Sequence, residues 1–275
     1  VEAACYVLFS GPDGRAMSAL ANHDKAAALA RAVSSLEHWH HLDRRRLSRV
    51  DTAAISYWAP PEVLDALLSS LSCEEAGLMP RVGLQTSDDF RFLRLQWEVP
   101  ATRFGTGKWV AFAKGGEYSP FADSIHLAVN WFHEAKEQRA FASAHADRTG
   151  SARGNDATRD FEWYYQAGLT YSERTTSDIS VRVLPEGCIT GTSGPGIFAR
   201  STRRLATALG YFCSAVFRQL LELSIGSGDA VASGSAARHY TVGNVARCPF
   251  PTFADGAAEF IAAASIRCIN ATREL

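Results

Sequence analysis

The sequence predicts an α+β fold, and three observations carry that expectation. Strand patterns gather in the middle of the chain: Trp109 to Ala113 reads as one strand, and Ile179, Val181 and Val183 alternate with Ser180 and Arg182 as another. Helical stripes flank them, with Val63, Leu64, Leu67, Leu68 and Leu71 before and Leu205, Leu209, Phe212, Val216, Phe217, Leu220 and Leu221 after. The 275 residues, 47% apolar and 21% charged, have a globular balance and are enough for one large or two ordinary domains.

Taken in order, residues 3–9 (AACYVLF) form a short apolar strand ending at the Ser10-Gly11-Pro12-Asp13-Gly14 turn. The chain starts at Val1, inside that strand and without a methionine, so an upstream portion is expected. Asn22 or Asp24 caps a helix that carries Leu29, Val33 and Leu36 and runs to about His41. His38, His40 and His41 invite a metal reading, but neighbouring histidines on a helix face different directions and no carboxylate sits at a ligand spacing. A solvated, arginine-rich helix end continuing to Arg46 accounts for them. Pro60 and Pro61 open the next helix, and the domain junction is expected here. The resulting division is 1–58, a connecting helix at 59–80, a main domain at 81–251 and a C-terminal helix at 252–275.

Residues 81–133 mix aromatics, arginines and glycines most densely. Phe90, Phe92, Leu95 and Trp97 interleave with Arg91, Arg94 and Gln96, which predicts a two-faced strand. Gly105 and Gly107 mark a turn, the Trp109–Ala113 strand follows, and Lys114-Gly115-Gly116-Glu117 closes it. Two readings stand. Gln85, Thr86, Arg91, Arg94 and Lys114 contact an anionic backbone or base edges, or the arginines pair with Asp88, Asp89 and Glu98 while the aromatics form core. The GxxxxGK[ST] spacing of a phosphate-binding loop is absent.

Further on, residues 134–147 are helical in composition, and 148–156 read as a polar loop. Phe161, Trp163, Tyr164 and Tyr165 are core or stacking surfaces. Arg182 is expected on the face of its half-buried strand opposite the valines, Pro185-Glu186-Gly187 is a turn, and Ile189 starts a strand broken by Gly191 to Gly196. Residues 198–225 read as one long amphipathic helix, Gly226 to Gly234 as a linker, and 255–273 as helix.

The net charge of −1 rules out an all-over basic coat, so any nucleic-acid contact rests on a local patch. Of 28 basic residues only Lys25, Lys108, Lys114 and Lys136 are lysine, a bias that favours bidentate contacts and that a GC-rich genome also produces. Six scattered cysteines without a CxxC pair indicate neither a zinc ribbon nor a disulfide scaffold, and fit a cytoplasmic location. No apolar run is long enough for a membrane span, and the N-terminal residues lack the charged start and apolar core of a signal peptide.

GLQTSDDFRFLRLQWEV, KWVAFAKGGEYSPF, LAVNW, FEWYYQAGLTYS, SVRVLPEGCI and GPGIF occur in that order, with Tyr57-Trp58 before them and VGN then Pro249-Phe250-Pro251 after. This series resembles the target-recognition region of large adenine-specific DNA methyltransferases of the BREX (PglX-type) and phage-growth-limitation kind, and of related fused restriction-modification enzymes. The resemblance covers about residues 50–250. It implies double-stranded DNA as ligand, and the residues then expected to contact it, from their chemistry and their glycine-bounded loops, are Gln85, Thr86, Arg91, Arg94, Lys114, Gly115, Gly116 and Arg182. It also implies that residues 1–58 are a remnant strand and helix of a Rossmann-like methyltransferase core, followed by a mixed α/β recognition domain with long helices near the C-terminus. Partners would be that upstream core and other defence subunits.

The family's Asn/Asp-Pro-Pro-aromatic tetrad is missing, since Pro60-Pro61 lies between Ala59 and Glu62. No glycine-rich turn with its acidic residue suits S-adenosylmethionine, so the cofactor would belong to the parent enzyme and none to this chain. Thr86-Ser87-Asp88-Asp89 replaces the usual Thr-Gly-Asp-Asn, Thr170-Tyr171 replaces Thr-Trp, and Cys213-Ser214 replaces Asn-Ser. A protein-docking domain of a defence complex is the competing reading.

Overall fold

The computed structural model describes residues 71–105, 107–149, 158–225 and 238–274, with scattered helical positions between 26 and 70. The strand at 3–9, the histidine-rich helix end, Tyr57-Trp58, most of the 148–156 loop and the 226–234 linker lie outside the described residues. The chain divides into two compact units, one of Val1–Ser70 with Gln219–Ala237, the other of Leu71–Arg218 with Arg238–Leu275. The second unit carries the architecture below, except that residues 219–225 belong to the first.

Its fold is α+β, built on two four-stranded sheets. The first contains β1 (Met79–Arg81), β5 (Gly168–Tyr171), β7 (Val181–Leu184) and β9 (Gly196–Phe198), antiparallel in the order β1-β9-β5-β7. The second contains β2 (Leu93–Leu95), β3 (Trp109–Ala113), β4 (Leu127–Asn130) and β8 (Cys188–Thr190) in the order β2-β4-β3-β8. There β3 and β8 run parallel, with Ala113 opposite Thr190. The Pro185–Gly187 turn hands the chain from one sheet to the other, and Gly187 takes the left-handed φ of 86° that this turn needs. A short pair, β6 (Arg174–Thr175) with β10 (Arg238–His239), is fixed by Asp178, which accepts from Arg218 at 2.7 Å and Arg238 at 2.6 Å.

Core formation explains this arrangement. Leu84, Leu93, Val110, Phe112, Val129, Trp131, Tyr164 and Ile189 form one cluster on the second sheet, each large apolar side chain contributing about 1.5–3 kcal/mol. Ala113 and Cys188 of that sheet meet Leu184 and Phe198 of the first, so the two sheets share buried contacts. Of the aromatics near 161–165, Tyr164 is buried while Phe161 and Tyr165 remain partly exposed around Trp131.

Two expectations need correction. Residues 89–98 are not one two-faced strand: α1 (Asp89–Phe92) precedes β2, and a 3₁₀ turn, Gln96–Glu98, follows. Asp88 causes this by capping α1, its carboxylate accepting from the Arg91 N–H at 3.1 Å. The helix predicted over 198–225 is likewise two, α3 (Thr202–Phe212) and α4 (Ala215–Ile225), separated by Cys213-Ser214. Between α1 and α3 in the chain, α2 (Phe132–Thr149) matches the helical composition of 134–147 but opens on three left-handed residues, His133 to Ala135.

The C-terminal elements are α5 (Val242–Arg247), capped by the Thr241 hydroxyl, and α6 (Asp255–Glu274). α6 packs closely on α3. Thr207 Oγ1 donates to Ala258 O at 3.2 Å, and a Cβ on Gly210 would stand 2.6 Å from both Ile261 Cγ2 and Ser265 Oγ. Tyr211 anchors the α3 end by donating to Pro249 O at 2.7 Å within a ring of Phe212, Phe217, Phe250 and Phe253.

Candidate nucleic-acid interface

Three chain segments run side by side at one edge of the second sheet. Leu84 N–H donates to Thr190 O at 2.7 Å, and Gly191 N–H donates to Ala113 O at 2.8 Å. The Leu84–Gly191 bridge and the β3–β8 pair are both parallel, so all three segments end on the same side. Just beyond those carboxyl ends lies a cleft of about 220 Å³. Open sheets with parallel strands collect ligands on this side.

Leu84 and Phe112 make the apolar floor, and Gln85, Thr86, Asp89 and Lys114 line the walls. Ser87, Thr192 and Ser193 add three hydroxyls. Asp89 organises the wall: its Oδ1 accepts from the Thr86 hydroxyl at 2.5 Å and its Oδ2 accepts from the Lys114 ammonium. Burial pushes the Asp89 carboxyl upward, but the bonds from Lys114 and Thr86 and the ammonium charge outweigh it and hold the group below the ordinary aspartate range.

Glycine has a definite task at one position here. Gly115 sits at φ 74°, and a Cβ on it would lie 2.5 Å from Ser193 O. The close approach that its small size allows is therefore to the 191–194 loop of the same chain. Gly116 is tied down by Ser172, whose hydroxyl accepts from its N–H at 2.9 Å and donates to its carbonyl at 2.8 Å.

The structure thus brings Gln85, Thr86 and Lys114 together, with Gly115 and Gly116 continuing from Lys114. It sets the three arginines apart from them. Arg91 projects from α1 against the Phe92 and Phe141 rings and pairs with Glu137 at 2.8 Å, not with Asp88 or Asp89. Arg94 is exposed, lies over Trp109 and donates to Phe90 O and Leu93 O, with no carboxylate partner among the described residues. Arg182 is 3% exposed, because its strand is buried on both faces and is not half-buried as the alternation predicts. Its Nε lies 3.8 Å from Asp123, and burial lowers its pKa while that carboxylate offsets part of the effect.

No protein-family model matches the chain. Over 164 residues, 58% of the chain, it is 24% identical to the adenine-specific methyltransferase BrxX of Escherichia coli O9:H4 (strain HS). The match takes in 12% of that relative's length, so the chain spans a small part of the curated protein it resembles.

Asp89, Ser87, Thr192 and Ser193 are cleft residues that sequence reasoning did not select. A pair of hydroxyls between glycines, Gly191-Thr192-Ser193-Gly194, was the available signal for the last two. Elsewhere, burial pushes the Cys73 thiol up to about 12 and those of Cys188 and Cys213 to about 11, which leaves them protonated and unreactive at neutral pH. Among the described residues, no group of histidine, cysteine and carboxylate side chains is arranged to hold a metal ion, and no helix is long and apolar enough to cross a membrane.

Proposed function

We propose that this chain is the DNA target-recognition portion of an adenine-specific DNA methyltransferase of the phage-defence or restriction-modification kind. Methyl transfer and S-adenosylmethionine binding would then belong to a core whose motifs this sequence lacks. The observation that carries the reading is the convergence of Gln85, Thr86 and Lys114, three residues of the DNA-reading resemblance, on one polar cleft. The similarity to the adenine-specific methyltransferase BrxX supports the same assignment. Amide, hydroxyl, carboxylate and ammonium groups around a small apolar floor are the side chains that contact base edges.

A docking surface for another protein is the second reading. Phe90 at 96% exposure and Trp97 at 73% favour it, since an apolar contact would cover both rings. Salt separates the two. Phosphate contacts release counterions, so duplex binding by the chain should weaken linearly in log–log form as salt rises. Fluorescence anisotropy on labelled duplexes reads this directly. Absence of duplex binding at low salt, with capture of a partner protein insensitive to salt, would replace the first reading with the second.

A further inference from the structure

The ion pair in the cleft wall decides what Lys114 can do there. A lysine that neutralises a phosphate must bring an uncompensated charge, and this one is already neutralised by Asp89. The cleft lining contains one cation and one anion, so it has no net positive charge to attract a phosphate. A phosphate brought to Lys114 would also stand beside the Asp89 carboxylate and be repelled by it.

The same pair has free hydrogen-bonding capacity of both signs. An ammonium has three donors, and Asp89 engages Lys114 through one oxygen. The carboxylate keeps lone pairs after accepting from Thr86 and Lys114. Donor and acceptor therefore stand side by side, locked in position by Thr86. In the DNA major groove a G·C pair shows the complement, guanine N7 and O6 as acceptors next to the amino donor of cytosine.

Resting on the DNA-reading assignment above, we infer that the cleft reads the edge of a G·C base pair, Lys114 donating to guanine and Asp89 accepting from cytosine, and does not bind the phosphate backbone. Backbone contact falls instead to Arg94. Of the four cations expected to contact DNA, Arg91 and Lys114 are paired with carboxylates at the surface and Arg182 is buried with Asp123. Arg94 alone of these is exposed without a carboxylate partner among the described residues.

The test starts from duplexes that the wild-type chain selects out of a random library, followed by salt titrations on the selected duplex and a scrambled one. Lys114→Met should weaken binding to the selected duplex by about 5- to 150-fold, leave scrambled DNA and the salt slope unchanged, and erase one G·C position from the selected motif. Asp89→Asn keeps an acceptor but frees the ammonium, so it should tighten binding to scrambled DNA and steepen the salt slope by about 1. Arg94→Ala should weaken both duplexes alike and flatten the slope by about 1. Thermal unfolding checks each fold, and Lys114→Arg, which retains donors and charge, should keep the G·C position should the methionine variant not fold. A uniform loss with a flatter slope for Lys114→Met would make Lys114 a phosphate contact, and an unchanged motif would remove the cleft from readout. Either result overturns the inference and leaves DNA recognition standing. Failure of the wild-type chain to select any motif overturns both.

Discussion

Ser87 sits at φ 60°, in the left-handed region, where the resembling family carries glycine. A side chain there costs roughly 1–2 kcal/mol, partly balanced by the lower chain entropy that any residue but glycine has when unfolded. Ser87→Gly should therefore stabilise the protein by about 0.5–1 kcal/mol, read as a higher denaturant midpoint at unchanged slope. Two residues on, Asp89 links the cleft to pH. Its folded-state pKa is depressed, so its contribution to stability is complete above the unfolded value of about 4 and is lost as pH falls through the lower folded value. The difference in melting temperature between wild type and Asp89→Asn should be constant near neutral pH and shrink in acid below about pH 4. At this scale the sequence was partly legible. Gln85, Thr86 and Lys114, selected from loop chemistry, line one cleft, whereas the Asp89–Lys114 pair joins residues 25 positions apart and needs the sheet to bring them together.

Elements were legible where a pattern ran long enough. Trp109–Ala113 and the C-terminal helix appear within a residue or two of their expected limits, and the turn at Pro185 to Gly187 lies where its residue types place it. The misreadings share a cause. α1 has four residues, too few for helical periodicity to show against the alternating aromatics, and only its Asp88 cap declares it. The break at Cys213-Ser214 interrupts a stripe whose apolar spacing continues across it, so periodicity alone joins α3 to α4. Alternation sets Arg182 opposite the valines but does not tell whether both faces are covered, and here both are. The α3–α6 crossing supplies a check on packing. Gly210→Leu would force a side chain into the space held by Ile261 and Ser265, and should destabilise the protein by about 1–3 kcal/mol with a matching fall in melting temperature.

For the molecule as a whole, near-neutral charge and the polar cleft point to recognition through selected groups and not through a broad basic field. Without a glycine-rich turn and its acidic partner, the chain should show no heat of binding when titrated with S-adenosylmethionine in a calorimeter. Micromolar binding would show that a cofactor site has been misread as absent. Sequencing the duplexes that the purified chain enriches from a random library at physiological salt tests whether it reads DNA sequence. A reproducible motif containing at least one G·C position is expected. Enrichment of no sequence over repeated rounds, with the chain folded and its melting transition intact, would contradict it.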